Sequence, residues 1–296
     1  MFRLGSMQGN PEAEFNVGMM YAKGQGVPQD NKEATRWLIR AAAQGSVDAQ
    51  HGLHQMYEGC ISLPQNEEEV KLYRITAEQG DVIAQNNLGM MCSQGFGVSQ
   101  DYNEAMKWFR MAAEQGDADG QNGVAQMYGL GIGVAKNYPE SLKWLRMATR
   151  QGHAMAQFNA GMMHNMGRGV RQNYTEAEKW YSLSAAQGND SAQVNLGMLY
   201  AKGWGVRQNY TEAAKWYRLA VAHGNVPALN NLGFLYVNGQ GVPQDYEEAV
   251  KWHRLAAALG AGPAQKNLAE MYAQGYGLTR DCKEKDSPVA YPPPSA

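Results

Sequence analysis

The chain has 296 residues, 44% of them hydrophobic and 18% charged, a balance that supports a packed core and excludes wholesale disorder. Its formal net charge of −2 provides neither the basic surface that binds nucleic acid nor a strong attraction to anionic membranes. The three cysteines are odd in number and irregularly spaced, which predicts a reducing compartment and not a disulfide framework.

The first segment, residues 1–9 of "MFRLGSMQGN", matches "WFRMAAEQGD" at 108–117. It is therefore predicted to be the second helix of an incomplete repeat that covers the N-terminal end of the fold. The segment lacks the apolar centre of a signal peptide, and no window of the chain is apolar enough to span a membrane. These features predict a cytoplasmic protein without membrane insertion, although a truncated N-terminus would leave periplasmic or secreted locations open.

A period of 36 residues runs through the chain from there on. The tryptophans that keep this spacing are Trp108, Trp144, Trp180, Trp216 and Trp252, and the glycines are Gly95, Gly131, Gly167, Gly203, Gly239 and Gly275. A fixed spacing of this length is typical of solenoid proteins. We divide residues 10–281 into seven full repeats and the first helix of an eighth.

Each repeat has the pattern of two helices. In one example, Ala192, Leu196 and Leu199 lie at helical spacing in a first helix that ends at Gly203, a residue suited to the left-handed C′ position. The second helix begins at Asn209, with Glu212 three residues later, a pairing that resembles a capping box. The same pairing occurs at Asp30/Glu33, Asn66/Glu69, Asp101/Glu104, Asn137/Glu140, Asn173/Glu176, Asp245/Glu248 and Asp281/Glu284.

The second helix has a predicted buried stripe, Ala213, Trp216, Leu219 and Ala220, and Gly197 opposite it would allow close helix approach. A tryptophan buries up to about 250 Å², which one helix pair cannot cover by itself. Neighbouring pairs must therefore stack. The sequence predicts an all-α fold, an α-solenoid of antiparallel helix pairs.

The motifs Leu196-Gly197-x-x-Tyr200, Gly203-x-Gly205-Val206 and Ala213-x-x-Trp216 together resemble the Sel-one-like repeat family. That family is a 36-residue relative of the tetratricopeptide repeat, which has 34 residues. The resemblance implies a right-handed superhelix that serves as an adaptor or scaffold for other proteins, often in bacteria. Some members have disulfide-stapled repeats, but this chain lacks the paired cysteines.

Two segments depart from the pattern. In the second repeat both loop glycines are missing, Tyr73 is interpreted as the replacement of the tryptophan, and Gly80 lies only 35 residues after Gly45. We assign the missing residue to the stretch between Tyr73 and Gly80 and predict a local kink in this repeat. The tail, residues 282–296, is rich in proline and is predicted to be disordered.

No motif of a known catalytic or phosphate-binding site is present, and we expect no enzyme activity, cofactor or metal. The Gly-x-Gly strings lie between helices and are interpreted as turns. His51 and His54 lie three residues apart on a predicted helix, where they could hold a metal, but a degenerate repeat explains them more simply. Cys60 and Cys92 are interpreted as small core residues.

The resemblance also implies that the first helices line a concave groove. Its predicted partner-binding residues occupy the fifth and ninth positions of each repeat: Phe15, Met19, His51, Gln55, Asn86, Met90, Asn122, Gln126, Phe158, Met162, Val194, Met198, Asn230 and Phe234. This apolar and amide-rich set suits a peptide. The alternative is that Phe158, Met162 and Met198 only pack between neighbouring helices.

An asparagine recurs at the sixth position, at Asn87, Asn159, Asn195 and Asn231 among others. Such a ladder could bind the backbone of a peptide, or it could fix the stacking of neighbouring repeats.

Taken together, the sequence favours a non-enzymatic scaffold that binds a protein or peptide on its concave face. The alternative is a small-molecule or cell-wall-related binder or hydrolase with a pocket near the second repeat. The incomplete ends of the solenoid also allow end-to-end self-association.

Overall fold

The computed structural model describes residues 10–44, 46, 48–49 and 67–276. Within these residues every regular element is an α-helix, which confirms the predicted all-α fold of consecutive helix pairs. The predictions made for residues 1–9, for most of the second repeat and its kink, and for the tail 282–296 lie outside the described residues.

The chain divides into two compact units, residues 1–153 and 154–296. The helices of the first unit are α1 (Pro11–Lys23), α2 (Asn31–Ala43), α3 (Glu67–Glu78), α4 (Val82–Gln94), α5 (Tyr102–Glu114), α6 (Ala118–Leu130) and α7 (Tyr138–Arg150). Those of the second are α8 (Ala154–Met166), α9 (Tyr174–Ala186), α10 (Asp190–Lys202), α11 (Tyr210–Ala222), α12 (Val226–Asn238), α13 (Tyr246–Ala258) and α14 (Gly262–Ala273). Within each unit, every described helix packs against the next described helix along the chain. The right-handed sense of the superhelix stays a prediction.

The capping groups lie at the helix ends where the sequence places them, but only half of the predicted capping box forms. Asn209 Oδ1 accepts from the backbone N–H of Glu212 at 3.1 Å, and Gly203 has the left-handed φ of 69°. The Asn209 N–H, however, donates to the Tyr200 carbonyl at 2.9 Å, so the Glu212 carboxylate has no donor to reach there. It pairs instead with Lys215 at 2.5 Å. The reciprocal contact predicted from the sequence is therefore wrong.

In α7, α9, α11 and α13 the residue after the tryptophan is buried more deeply than the tryptophan itself. In α5 the order is reversed, because Trp108 is 1% exposed and Phe109 is 8% exposed. Tyr217 is 3% exposed and lies against Gly197, where a Cβ atom would come within 2.6 Å of Tyr217 Cε1. Trp216 is only half-buried, and it packs against the core of the preceding repeat. Leu219 is 48% exposed, which makes its assignment to the buried stripe wrong. The buried stripe of α11 therefore includes Tyr217 in place of the predicted Trp216, because Gly197 in the facing helix leaves space for the tyrosine ring.

The same geometry corrects the reading of the second repeat. Asn87 Nδ2 donates to the Tyr73 hydroxyl across 14 residues, and the same separation relates Asn195 to Tyr181. Tyr73 therefore corresponds to the residue after the tryptophan, and the missing residue of this repeat precedes it. The prediction that Tyr73 replaces the tryptophan was wrong because it counted forward from Trp37, across the deletion.

The second loop glycine packs on the preceding repeat at Gly133, Gly205 and Gly241. At Gly205, φ is 70°, and an added Cβ would lie 2.5 Å from the Thr175 nitrogen at the start of α9. Thr175 Oγ1 donates to the Gly205 carbonyl at 3.2 Å, and Trp204 stacks on Tyr174 with ring centroids 5.2 Å apart. The Gly-x-Gly strings are therefore turns whose backbone packs directly on a neighbouring helix.

A glutamine clamp also connects successive helices. Gln157 accepts from Gln187 Nε2 at 2.8 Å, and Gln121 accepts from Gln151 at 3.0 Å. In the repeat 190–225 the donor position is occupied by His223. There Gln193 donates to the Ala185 carbonyl at 3.3 Å, but its Oε1 is buried without a hydrogen-bond partner among the described residues.

We expect His223→Gln to stabilise the second unit, because it supplies the donor that Gln193 Oε1 lacks. A neutral hydrogen bond to a buried acceptor contributes about 1 kcal/mol. Urea denaturation followed by circular dichroism measures the gain. The reciprocal variant Gln187→His removes the donor from Gln157 and is the matched control, with an expected loss of similar size. A destabilised His223→Gln protein contradicts this account of the clamp.

His253 occupies the deep ring position in the repeat 226–260, where the two preceding repeats have tyrosine. It is 1% exposed, and its Nδ1 has no hydrogen-bond partner among the described residues. Burial lowers the pKa of His253 below its ordinary value because the imidazolium would lose its hydration.

This buried imidazole makes the stability of the second unit sensitive to pH. The unfolded chain binds a proton near pH 6.5, whereas the folded chain binds it only at lower pH. The free energy of unfolding is therefore undiminished above about pH 6.5 and falls on acidification below it, by up to about 1.4 kcal/mol per pH unit. Urea midpoints between pH 5 and 8 measure this slope. His253→Tyr should flatten the histidine-dependent part; an unchanged slope would exclude His253 as its source.

Candidate functional site

A cavity of about 610 Å³ lies between the first helices of two neighbouring repeats, α4 and α6. Four of the predicted partner-binding residues line it together: Asn86 and Met90 from α4, and Asn122 and Gln126 from α6. They meet because the fifth and ninth positions face the same side of adjacent, equivalent helices. We call this cavity the α4/α6 groove.

The α4/α6 groove changes in character along its length. Asp117 and Asp119 lie at the N-terminal end of α6, the amides of Asn122 and Gln126 line the middle, and Leu130 lies at the C-terminal end. Met90 lies in the middle, at the position in α4 that Gln126 has in α6, and the other lining residues at the C-terminal end include Gln94, Met127 and Ile132. One end is acidic and the other is predominantly apolar.

The acidic end is held in place by hydrogen bonds. Asp117 caps α6 by accepting from the Gly120 N–H at 2.8 Å, and its Oδ2 also accepts from Asn86 Nδ2. Asp119 Oδ1 lies 2.8 Å from His153 Nε2, and this hydrogen bond lowers the pKa of the Asp119 carboxyl. The Asp119 side chain is 74% exposed, so a charged carboxylate faces solvent at this end of the groove.

The sequence pattern does not predict a role for these two aspartates. Asp117 gave no functional signal because it occupies a helix-capping position, which Asn189 and Asn225 occupy in later repeats. Asp119 gave no distinctive signal, since the equivalent positions include two acidic residues: Glu12, Asp48, Ile83, Met155, Ser191, Pro227 and Pro263. An acidic residue at this position therefore does not distinguish the repeat 118–153 from the first two repeats.

The predicted residues of the second unit are less uniform. Phe158 lies 5.9 Å from Tyr181 between ring centroids, and both Phe158 and Met162 pack against the core of their repeats. Val194 is 7% exposed and belongs to the core, so it offers little surface to a partner. Met198 and Phe234 are exposed, at 36% and 53%. Phe158 and Met162 thus pack against the core, as the alternative interpretation predicts for them. Met198 and Phe234 face solvent.

The remaining predicted residues are divided by what the structure describes. Phe15 and Met19 are half-buried on α1, and Asn230 accepts from Asn267 Nδ2 at 3.0 Å. His51 and Gln55 lie outside the described residues. So do His54 and Cys60, and with them the candidate metal pair and most of the second-repeat pocket proposed as the alternative site.

The recurring asparagine has a structural contact in several repeats. Asn87 is 9% exposed and donates to the Tyr73 hydroxyl, and Asn195 and Asn231 oppose the rise in pKa that burial causes in the tyrosines of the preceding repeats. Asn159, by contrast, follows a repeat with Leu145 at the equivalent place. These contacts support the stacking role; peptide binding by the ladder stays a prediction.

Reactive chemistry is not assembled in the described part of the chain. Cys92 is fully buried, and burial together with Glu104 raises the pKa of its thiol to about 12, which keeps it protonated and unreactive. Between residues 10 and 276, excluding the undescribed positions, no group of three or more His, Cys, Asp or Glu residues could hold a metal. None of the described helices is both long and apolar enough to cross a membrane.

Stacked helix pairs with a groove of amides and methionines between first helices define a helical-repeat scaffold, a class of proteins that present extended surfaces. The Sel1 repeat family model matches residues 11–46, 82–117, 118–153, 154–189, 190–225, 226–260 and 262–284. The chain belongs to the Sel1 repeat family, the Sel-one-like repeats of the sequence analysis. Proteins of this family are generally non-catalytic and mediate protein–protein interactions.

Two solved bacterial structures are similar over most of the chain. A Sel1 repeat protein from Oxalobacter formigenes is 32% identical, with a TM-score of 0.74, over 91% of this chain and 79% of that one. The protein c5321, described as a protective antigen of uropathogenic Escherichia coli with an SLR fold, is 32% identical with a TM-score of 0.56. That match covers 95% of this chain and 68% of that one. The comparison with curated proteins gives no match.

Proposed function

We propose that this chain is a non-enzymatic interaction scaffold that binds a peptide segment of another protein in the α4/α6 groove. The observation that supports the proposal most directly is the cavity of about 610 Å³ whose lining includes Asn86, Met90, Asn122 and Gln126. Methionine side chains adapt their shape to different apolar partners, and amides bind peptide N–H and C=O groups. The groove therefore combines adaptable apolar contact with backbone recognition.

The dimensions of the groove favour an extended peptide. A 13-residue helix such as α6 is about 20 Å long at 1.5 Å per residue. An extended chain advances about 3.3 Å per residue, so five or six residues would run along the groove. A folded partner would have to insert a loop or terminal segment of this length.

Selection of hexapeptides from a random phage-displayed library on the immobilised full chain tests the proposal. We expect peptides whose binding is lost in Gln126→Trp, because an indole at this exposed position fills the groove. Lys143→Trp is the matched control, since Lys143 is 65% exposed on α7 and does not line the cavity. Circular dichroism checks that both variants are folded. Peptides that bind both variants equally well, or the absence of selected peptides, would refute the groove as the binding site.

A further inference from the structure

The charge in the α4/α6 groove is of one sign. Among the described residues that line the cavity, Asp117 and Asp119 are the only charged ones, and both lie at the same end. The apolar side chains Met127, Leu130 and Ile132 lie at the other end. A ligand that matches this lining would have separate cationic and aliphatic parts.

Two kinds of positive group lie near the aspartates: the N-termini of α4 and α6, and the side chain of His153. The N-termini of α4 and α6 contribute roughly half a positive charge each, which does not cancel the two carboxylates of Asp117 and Asp119. His153 Nε2 lies 2.8 Å from Asp119 Oδ1. Asp117 is bonded to an amide and a backbone N–H, both neutral. The two carboxylates outweigh the two helix N-termini and leave a net negative charge on the residues that line this end of the groove.

We propose that the α4/α6 groove is selective for an extended peptide with a lysine or arginine at the Asp117/Asp119 end and aliphatic side chains at the Leu130 end. The proposal depends on the proposed function, because it assumes that the groove binds peptides. Charge complementarity selects the cationic residue, since a glutamate at the same place would be repelled by two carboxylates. Gln126, the exposed amide between the two ends, contacts the peptide backbone and does not discriminate among side chains.

The spacing between the two peptide features follows from the helix. Asp119 and Leu130 are eleven residues apart on α6, or about 16 Å at 1.5 Å per residue. An extended peptide covers that distance in about five residues. The basic and aliphatic residues should therefore lie at opposite ends of a hexapeptide.

Affinity selection with defined hexapeptide mixtures tests the selectivity. The probes are acetylated and amidated mixtures in which one terminal position is fixed as arginine or glutamate and the opposite terminal position as leucine, in both chain directions. Peptides retained by the full-length protein are quantified by mass spectrometry. We expect arginine mixtures to be retained at least fivefold more than glutamate mixtures at low ionic strength, with the ratio falling at 0.5 M salt because counter-ions screen the charges.

The variant Asp117→Asn/Asp119→Ser separates charge from fold. Asparagine is the cap at this position in the repeats 190–225 and 226–260, and serine occupies the position of Asp119 in the repeat 190–225. We therefore expect normal helicity and a retention ratio near one. Asp245→Asn, a cap on α13 in the second unit, is the matched control and should keep the preference for arginine.

Each outcome distinguishes between the two proposals. Retention that is lost in Gln126→Trp but shows no preference for arginine refutes the charge selectivity and leaves the groove as a peptide site. Retention of no mixture by wild type, or equal retention by wild type and Gln126→Trp, refutes both. Concentration-dependent dimerisation in light scattering that is abolished by Asp117→Asn/Asp119→Ser would identify a second copy of the chain as the occupant and refute the peptide proposal.

Discussion

The substitution Gly205→Ala should destabilise the second unit by about 3 kcal/mol. Two costs add: an alanine in the left-handed region loses about 1 kcal/mol, and the new Cβ would lie 2.5 Å from the backbone nitrogen of Thr175. Because the contact is with backbone, α9 or the loop must move, and overpacking of this kind costs about 1–3 kcal/mol. The displacement would also strain the hydrogen bond from Thr175 Oγ1 to the Gly205 carbonyl.

Gly224→Ala is the matched control for this experiment. Gly224 has a similar φ of 77°, but no atom lies within 4 Å of its added Cβ. It should lose only the conformational cost of about 1 kcal/mol. Urea denaturation of the full chain measures both variants, and hydrogen exchange of α9 and α10 locates the change, since repeat proteins need not unfold in one step. Equal losses in the two variants would show that the contact with α9 contributes nothing.

A second large effect is expected where Gly197 faces Tyr217. Gly197→Ala places a Cβ 2.6 Å from Tyr217 Cε1, and the ring is 3% exposed, so it cannot turn away into solvent. We expect a loss of about 2 kcal/mol, in the range of overpacked cores. Tyr217→Leu alone should also destabilise the protein, by about 2 kcal/mol, because it leaves a cavity.

The double variant Gly197→Ala/Tyr217→Leu should recover part of both losses. The repeat 118–153 has this combination naturally, with Ala125 and Leu145 at the same two positions, 1% and 2% exposed. A double-mutant cycle by urea denaturation should give a favourable coupling of about 1–2 kcal/mol. Gly262→Ala, where nothing lies within 4 Å of the added Cβ, controls for helix propensity. Strictly additive losses would mean that the two positions are not in steric competition.

The repeat pattern predicted only part of the contacts on which these two predictions depend. The pairing of Gly197 with a ring could be read from the sequence as a place of close approach, but the ring was assigned to Trp216. A helical pattern with 3.6 residues per turn allows two adjacent residues to share a buried stripe. The sequence does not show that Gly197 leaves its space to the Tyr217 ring and not to Trp216.

The candidate site shows the same division. The fifth and ninth positions were predicted as a groove, and Asn86, Met90, Asn122 and Gln126 do line one cavity. The sequence could not show that Val194, at an equivalent position, is buried in the core. Burial depends on the side chains of the neighbouring repeats, which differ in size from one repeat to the next.

The sequence by itself determined the helix pairs, their length and their end groups, because these depend on residues close together in the chain. The period of 36 residues, the left-handed glycines and the Asx caps are local properties of this kind. The tertiary structure decided which face of each helix is deepest, which carbonyl takes the N–H of each cap, and where two aspartates meet an apolar groove. Those outcomes depend on contacts between residues 9 to 34 positions apart, where the fit of side chains, and not the local pattern, determines the free energy.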